Sequence, residues 1–165
     1  MDRSTAVLTP NSYIKTLSII HLGLLAGPFV LGIIAYLQTE RPFLDYTNTE
    51  DVFIYVVPVF AISGIFMGNL LFKKLMASAT KTDGLRTKLA RFQTASLIKY
   101  ALIEGPALLG AVVFLNSGNL TYLYIAGTLI LFLYLLRPTK DKIELGLQLK
   151  GEEKAQFNRL DEPIP

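Results

Sequence analysis

The sequence predicts an all-α integral membrane protein: a four-helix bundle built as two tandem transmembrane hairpins in parallel orientation. Three observations predict it. The 165 residues are 52% hydrophobic but only 18% charged, whereas a soluble domain carries about 25% charged residues. Four apolar runs each come near the ~20 residues that a helix needs to cross ~30 Å of hydrocarbon. Basic residues are concentrated in alternate connecting segments, as the inside-positive bias of membrane proteins requires.

The four runs cover residues 17–37, 52–72, 95–115 and 120–136. They are apolar on every face, which soluble core helices rarely sustain for this length. They lack the period-two alternation of a membrane β-barrel, so helices are the reading. The first run is too long for the apolar core of a signal peptide, and no small-x-small site follows it. It reads as an uncleaved helix. Residues 1–136 form the transmembrane domain and 137–165 a short cytoplasmic tail.

Orientation follows from lysine and arginine. The segment between the second and third runs holds Lys73, Lys74, Lys81, Arg86, Lys88 and Arg91. The tail holds Arg137, Lys140, Lys142, Lys150, Lys154 and Arg159, and the N-terminal segment holds Arg3 and Lys15. The segment between the first two runs has a single base, Arg41, beside Glu40, Asp45, Glu50 and Asp51. The chain is therefore expected to sit in the cell (inner, cytoplasmic) membrane with both termini in the cytoplasm and both hairpin loops outside.

The first and third runs align without a gap. Ser18, Ile20, Leu24, Gly27, Pro28, Leu31, Gly32 and Leu37 match Ser96, Ile98, Leu102, Gly105, Pro106, Leu109, Gly110 and Leu115. Leucine and isoleucine matches are cheap in membrane helices; the shared Gly-Pro and the glycine after it are more specific. A real duplication makes each unit a two-helix hairpin, the pair related by a pseudo-twofold axis along the membrane normal. Convergent membrane composition is the alternative. Pro28 and Pro106 each remove an amide donor inside a helix and free the carbonyls of Leu24 and Leu102, which need a partner in lipid. Gly23 and Gly27 form a G-x-x-x-G face, and Ala101 and Gly105 its counterpart. Such faces let backbones pack closely, so the first and third helices are expected to cross here. The plainer alternative is that glycine is common in membrane helices.

Glu104 stands apart. Counting ~1.5 Å per residue from Ala95 puts it ~13 Å deep, where an ionised side chain costs at least ~2.5–3.5 kcal/mol. Its counterpart in the first repeat is Ala26, so the helix itself does not require a carboxylate there. Ser63 and Thr128 fall at about the same depth. His21, Asn69 and Lys99 share a second level nearer the cytoplasm, His21 and Lys99 at equivalent repeat positions. Lys99 lies off the face of Glu104 and should snorkel toward water; Tyr100, one turn before Glu104, is the better neighbour. Two readings compete. Glu104 binds a proton, a cation or a polar substrate, or it bonds a freed carbonyl or Ser63 and locks the bundle.

Tandem hairpins with a single membrane glutamate in the second copy resemble the proteolipid ring subunits of vacuolar-type rotary ATPases. The resemblance covers the four runs and implies proton or cation binding at Glu104. It rests on architecture and not on a motif. In that family the glutamate lies on the second helix of a hairpin, whereas Glu104 lies on the first. The family also packs through longer glycine-rich stretches than Gly23, Gly27 and Gly32 provide.

Asp83-Gly84 marks a turn. Leu85, Leu89 and Phe92 recur at helical spacing and suggest an amphipathic lead-in to the third span, its bases facing headgroups or simply flanking the span. Arg137-Pro138 ends the fourth helix. Ile143, Leu145, Leu147 and Leu149 then alternate with polar residues and glycine, a strand-like pattern that would dock on the bundle or on a partner. A short helix is expected over 151–160. The 38–51 loop reads as solvated, without the ligand spacing of a calcium loop.

The chain has no cysteine and one histidine, which disfavours thiolate chemistry and a multi-histidine metal site. It has no phosphate-cradling glycine loop, nucleophile elbow or H-E-x-x-H motif. No catalytic role, cofactor, metal or nucleic acid is therefore expected. The partners are the lipid bilayer and other membrane helices, from further copies of the chain or other subunits. The preferred function is a small accessory or structural subunit; the alternative is a proton- or cation-coupled transport element using Glu104.

Overall fold

The computed structural model describes residues 8–79 and 84–164. Arg3, Lys81 and Asp83, used above for orientation and for a turn, lie outside the described residues. The chain forms six helices in the described part: α1 (Pro10–Gln38), α2 (Phe53–Ala79), α3 (Leu85–Ser117), α4 (Leu120–Leu135), α5 (Lys140–Leu147) and α6 (Gly151–Asn158). Three are long and apolar enough to cross a membrane, or four if α4 and α5, bent by 80° at their junction, count as one broken span.

Local chemistry sets the ends. Thr9 and Ser12 form a reciprocal capping box ahead of α1, with Pro10 in its first turn, where a missing amide costs nothing. Gly118 closes α3 in the left-handed region at φ 72°, its amide bonded to Phe114 O, a conformation that glycine adopts without strain. α3 has 33 residues, about 50 Å at helical rise. The amphipathic lead-in is thus continuous with the span: Leu85, Leu89, Phe92 and Ala95 are buried along one side.

α3 is the axis of the bundle. It packs against α1, α2 and α4, while α4 also touches α1 and α2. α1 and α2 hardly meet, so one flank of α3 is left open between them, where Ala101 and Val112 are exposed. The loop between α1 and α2 and the short link between α3 and α4 lie at one end. Phe43 donates its amide to Gly118 O at 3.0 Å, and Leu120 donates to Phe43 O at 2.7 Å. Buried Asn119 locks the join: its Oδ1 accepts from the amides of Asp45 and Thr121, and its Nδ2 donates to Asp45 O. Tyr122 donates its hydroxyl to Asp51 Oδ2. The 38–51 loop is exposed for most of its length, yet it is pinned at these points.

The tail and the start of α1 lie at the other end. Asn11 N donates to Leu160 O at 2.9 Å and Ile164 N to Leu8 O at 2.8 Å. Ile143, Leu147, Leu149, Phe157 and Ile164 are buried in one cluster with Tyr13, Leu17, Met76, Leu89 and Phe92. Buried Tyr13 donates its hydroxyl to Leu89 O at 2.8 Å. Lys88 and Glu153 form an ion pair at 2.6 Å across the same seam.

The strand-like reading of the tail is corrected here. Residues 140–147 are helical. Thr139 caps the helix by accepting from Lys142 N, and Ile143 and Leu147, one turn apart, bury the same face. Leu145 is 80% exposed, and Leu149 reaches the cluster only after Gln148 turns the chain at φ 52°. The alternation of four residues fits a strand, but the spacing of Ile143 and Leu147 alone also fits a helix face; the cap and the waiting apolar surface favour the helix. The second tail helix forms as expected, over Gly151–Asn158.

Candidate functional site

Glu104 lies on α3 beside the open flank. Its Oε1 sits 3.3 Å from where a Cβ on Gly27 of α1 would stand, a contact that a small shift of the flexible carboxylate would relieve. Glu104 is partly buried and makes no hydrogen bond or ion pair with any described residue. Gly23, Gly27 and Ala101 around it are exposed, and nothing within 4 Å would meet a Cβ added at Gly23 or Gly105.

The expected glycine-to-glycine crossing of the first and third helices is therefore corrected. α1 does pack on α3, through Leu17, His21, Pro28 and Ala35 on its buried stripe. Gly23 and Gly27 lie to one side of that stripe, and Ala101 and Gly105 face outward. The tightest glycine contact is instead between α2 and α3, at Gly64, with Gly68 one turn on also packed against α3. A Cβ on Gly64 would fall well under 3.0 Å from Leu102 O and 3.1 Å from Pro106 Cγ; one on Gly68 would lie 3.3 Å from Lys99 O. Leu102 is the residue whose carbonyl Pro106 deprives of its helical donor. The Cα–H groups of Gly64 face it, a weak but recurrent substitute at helix interfaces. The sequence carries this signal as Gly64-Ile65-Phe66-Met67-Gly68, a G-x-x-x-G face in the second span that the reading above passes over.

Depth alone does not bring Ser63 and Thr128 to Glu104. Ser63 is exposed on α2, and Thr128 turns its hydroxyl back to Tyr124 O on its own helix at 2.8 Å. Asn69 lies half-buried on α2 beside Leu70 and Lys73 and does not join His21.

His21 and Tyr100 do converge, on the end of α4. With 16 residues, α4 is only about 24 Å long, so its last carbonyls need donors before the helix clears a membrane. His21 Nε2 donates to Leu133 O at 2.9 Å, Tyr100 to Leu136 O at 3.2 Å, and Lys142 Nζ to Leu135 O at 2.7 Å and Arg137 O at 3.2 Å. The His21 and Tyr100 rings meet edge-on with centroids 4.7 Å apart. The charge of Lys142 also opposes the negative end of the helix dipole. Lys99 Nζ stands 5.2 Å from the centroid of Phe72. Lys142 is a partner that no span-based reading could supply, because it comes from the tail.

Two polar features thus define the bundle: a structural cap of His21, Tyr100 and Lys142 on α4, and an unpartnered carboxylate in an open strip of small residues. Among the described residues no three metal-ligating side chains come together. Three helices, or four with the bent pair, have the length and apolar composition of membrane spans and suggest a helical membrane protein. It matches no protein-family model, and no curated protein or solved structure matches it significantly.

Proposed function

We propose that the protein is a multi-pass accessory subunit that seats a transmembrane helix of another subunit, or of a second copy, along the open flank of α3. The carrying observation is Glu104: a carboxylate among Gly23, Gly27, Ala101 and Gly105 with no partner among the described residues. Polar groups at membrane depth find partners, and small residues let a foreign backbone approach. An ionised Glu104 accepts from a hydroxyl, amide or amine of that helix; a protonated one can also donate. The inside-positive bias supports a cytoplasmic side for both chain ends and the docked tail. Within this reading the two hairpins stand in parallel, and the repeated Gly-Pro in α1 and α3 is a remnant of duplication.

The same exposed carboxylate also favours a second reading, proton or cation transport in an assembled ring, as the proteolipid resemblance implies. One set of variants separates the two. Because the chain has no cysteine, Gly23→Cys gives a single crosslinking site beside Glu104. In bilayers, Glu104→Leu should weaken association of the chain with its partner helix roughly three- to twentyfold, the range of interhelical hydrogen bonds in membranes. Glu104→Gln should retain most of it. Association indifferent to Glu104→Leu would sink the docking role. Proton flux in vesicles of the parent chain, lost in Glu104→Gln, would favour transport.

A further inference from the structure

A second polar site lies at the tail end of the bundle and owes nothing to Glu104. Where α2, α3 and α5 meet, a cavity of about 200 Å3 is walled by Phe72, Phe92, Leu136 and Leu145, with Ser96, Lys99 and Lys142 supplying its polar groups. Ser96 is buried and Lys99 half-buried. The charges of Lys142 and Lys73 act on Lys99. No described carboxylate pairs with any of these three lysines; the described ion pairs involve Lys88, Lys140, Lys154 and Arg159.

Capping of α4 does not account for this much charge. The end of a helix carries about half a negative charge, and Lys142 already bonds its carbonyls. Holding Lys99 and Lys73 nearby raises the local potential further. Lys99 is also drawn over an aromatic face and into an apolar wall, unlike the exposed Lys15 and Lys74. The combination suits an anion with an apolar body attached. The position suits one too: α4 stops and the chain turns by 80° here, at the border between hydrocarbon and water where lipid phosphates stand. Free phosphate would meet the same ammonium groups but gain nothing from Phe72, Phe92 and Leu145.

We infer that this cavity binds the phosphate of an anionic membrane lipid, its headgroup on Lys99 and Lys142 in the field of the exposed Lys73 just outside the lining, and its glycerol end against the aromatic wall. The test uses the full chain in a neutral detergent, titrated with phosphatidylglycerol, phosphatidylcholine or inorganic phosphate. Bound lipid is counted by native mass spectrometry. Phosphatidylglycerol should bind saturably at one per chain and phosphatidylcholine should not. Lys99→Gln should weaken binding roughly fivefold, the value of one lysine at an anionic surface, and Lys99→Arg should retain it. Lys73→Gln, at an exposed position, should weaken it in the same direction without disturbing packed atoms. Equal binding of both lipids, or indifference to Lys99→Gln and Lys73→Gln, would overturn the site. Displacement of phosphatidylglycerol by inorganic phosphate at equal concentration would overturn the assignment to lipid.

Discussion

Replacing Gly64 by alanine tests the α2–α3 contact on which the bundle is built. The new methyl carbon would fall well under 3.0 Å from Leu102 O and 3.1 Å from Pro106 Cγ. The obstacle is backbone and a proline ring, neither of which can swing away. Because carbon and oxygen rest at about 3.3–3.6 Å, α2 must move out by on the order of 1 Å. Overpacking of this kind costs about 1–3 kcal/mol, and the shift also strips the Leu102 carbonyl of its nearest weak donor. Alanine returns up to about 1 kcal/mol of helix propensity, leaving a net loss of about 0–2 kcal/mol by the same overpacking estimate, to which the lost weak donor adds about 0.5–1 kcal/mol. Gly127→Ala is the internal control, because nothing within 4 Å would meet its Cβ. The assay is thermal unfolding of both variants in one detergent, followed by circular dichroism. Gly64→Ala should melt below the parent and Gly127→Ala at or above it. Equal melting temperatures for the two would refute the close contact.

Two further perturbations probe the ends. Asn119→Ala should cost about 1–3 kcal/mol, the desolvation penalty for leaving buried polar partners unmade; hydrogen exchange should accelerate at the amides of Asp45 and Thr121 while the middle of α3 stays protected. Phe157 is fully buried in the tail cluster, so Phe157→Ala should cost about 3–5 kcal/mol of local stability; limited proteolysis should then cut within 137–164 and leave the spans intact.

Much of the fold was legible because it follows from length and polarity. Apolar runs of span length became α1, α2 and α3, and Leu85, Leu89 and Phe92 announced the long start of α3. The freed Leu102 carbonyl was also foreseeable, since proline must release it. Its partner was not, because depth can be counted along a helix while rotation about the axis cannot be read without neighbours. That is why Ser63 and Thr128 share a level with Glu104 but face elsewhere, and why Gly23 and Gly105 lie open while Gly64 and Gly68 are packed. The α4 cap was hidden for another reason. Lys142 reaches Leu135 O only because α5 folds back beneath the bundle, and the alternation of Ile143, Leu145, Leu147 and Leu149 masks the helical spacing of Ile143 and Leu147. Asn119 could have been read as a helix cap, but its grip on Asp45 depends on two loops 74 positions apart in sequence meeting at one end.

The central claim is that these helices stand in a bilayer with the tail on one side and the two hairpin loops on the other. The cysteine-free chain allows a direct measurement: Asn48→Cys in the first loop and Lys154→Cys on α6, each tested in intact cells with a membrane-impermeant thiol reagent. Asn48→Cys should label at once, and Lys154→Cys only after permeabilisation. Labelling of both in intact cells, or recovery of the chain in the soluble fraction without detergent, would contradict it.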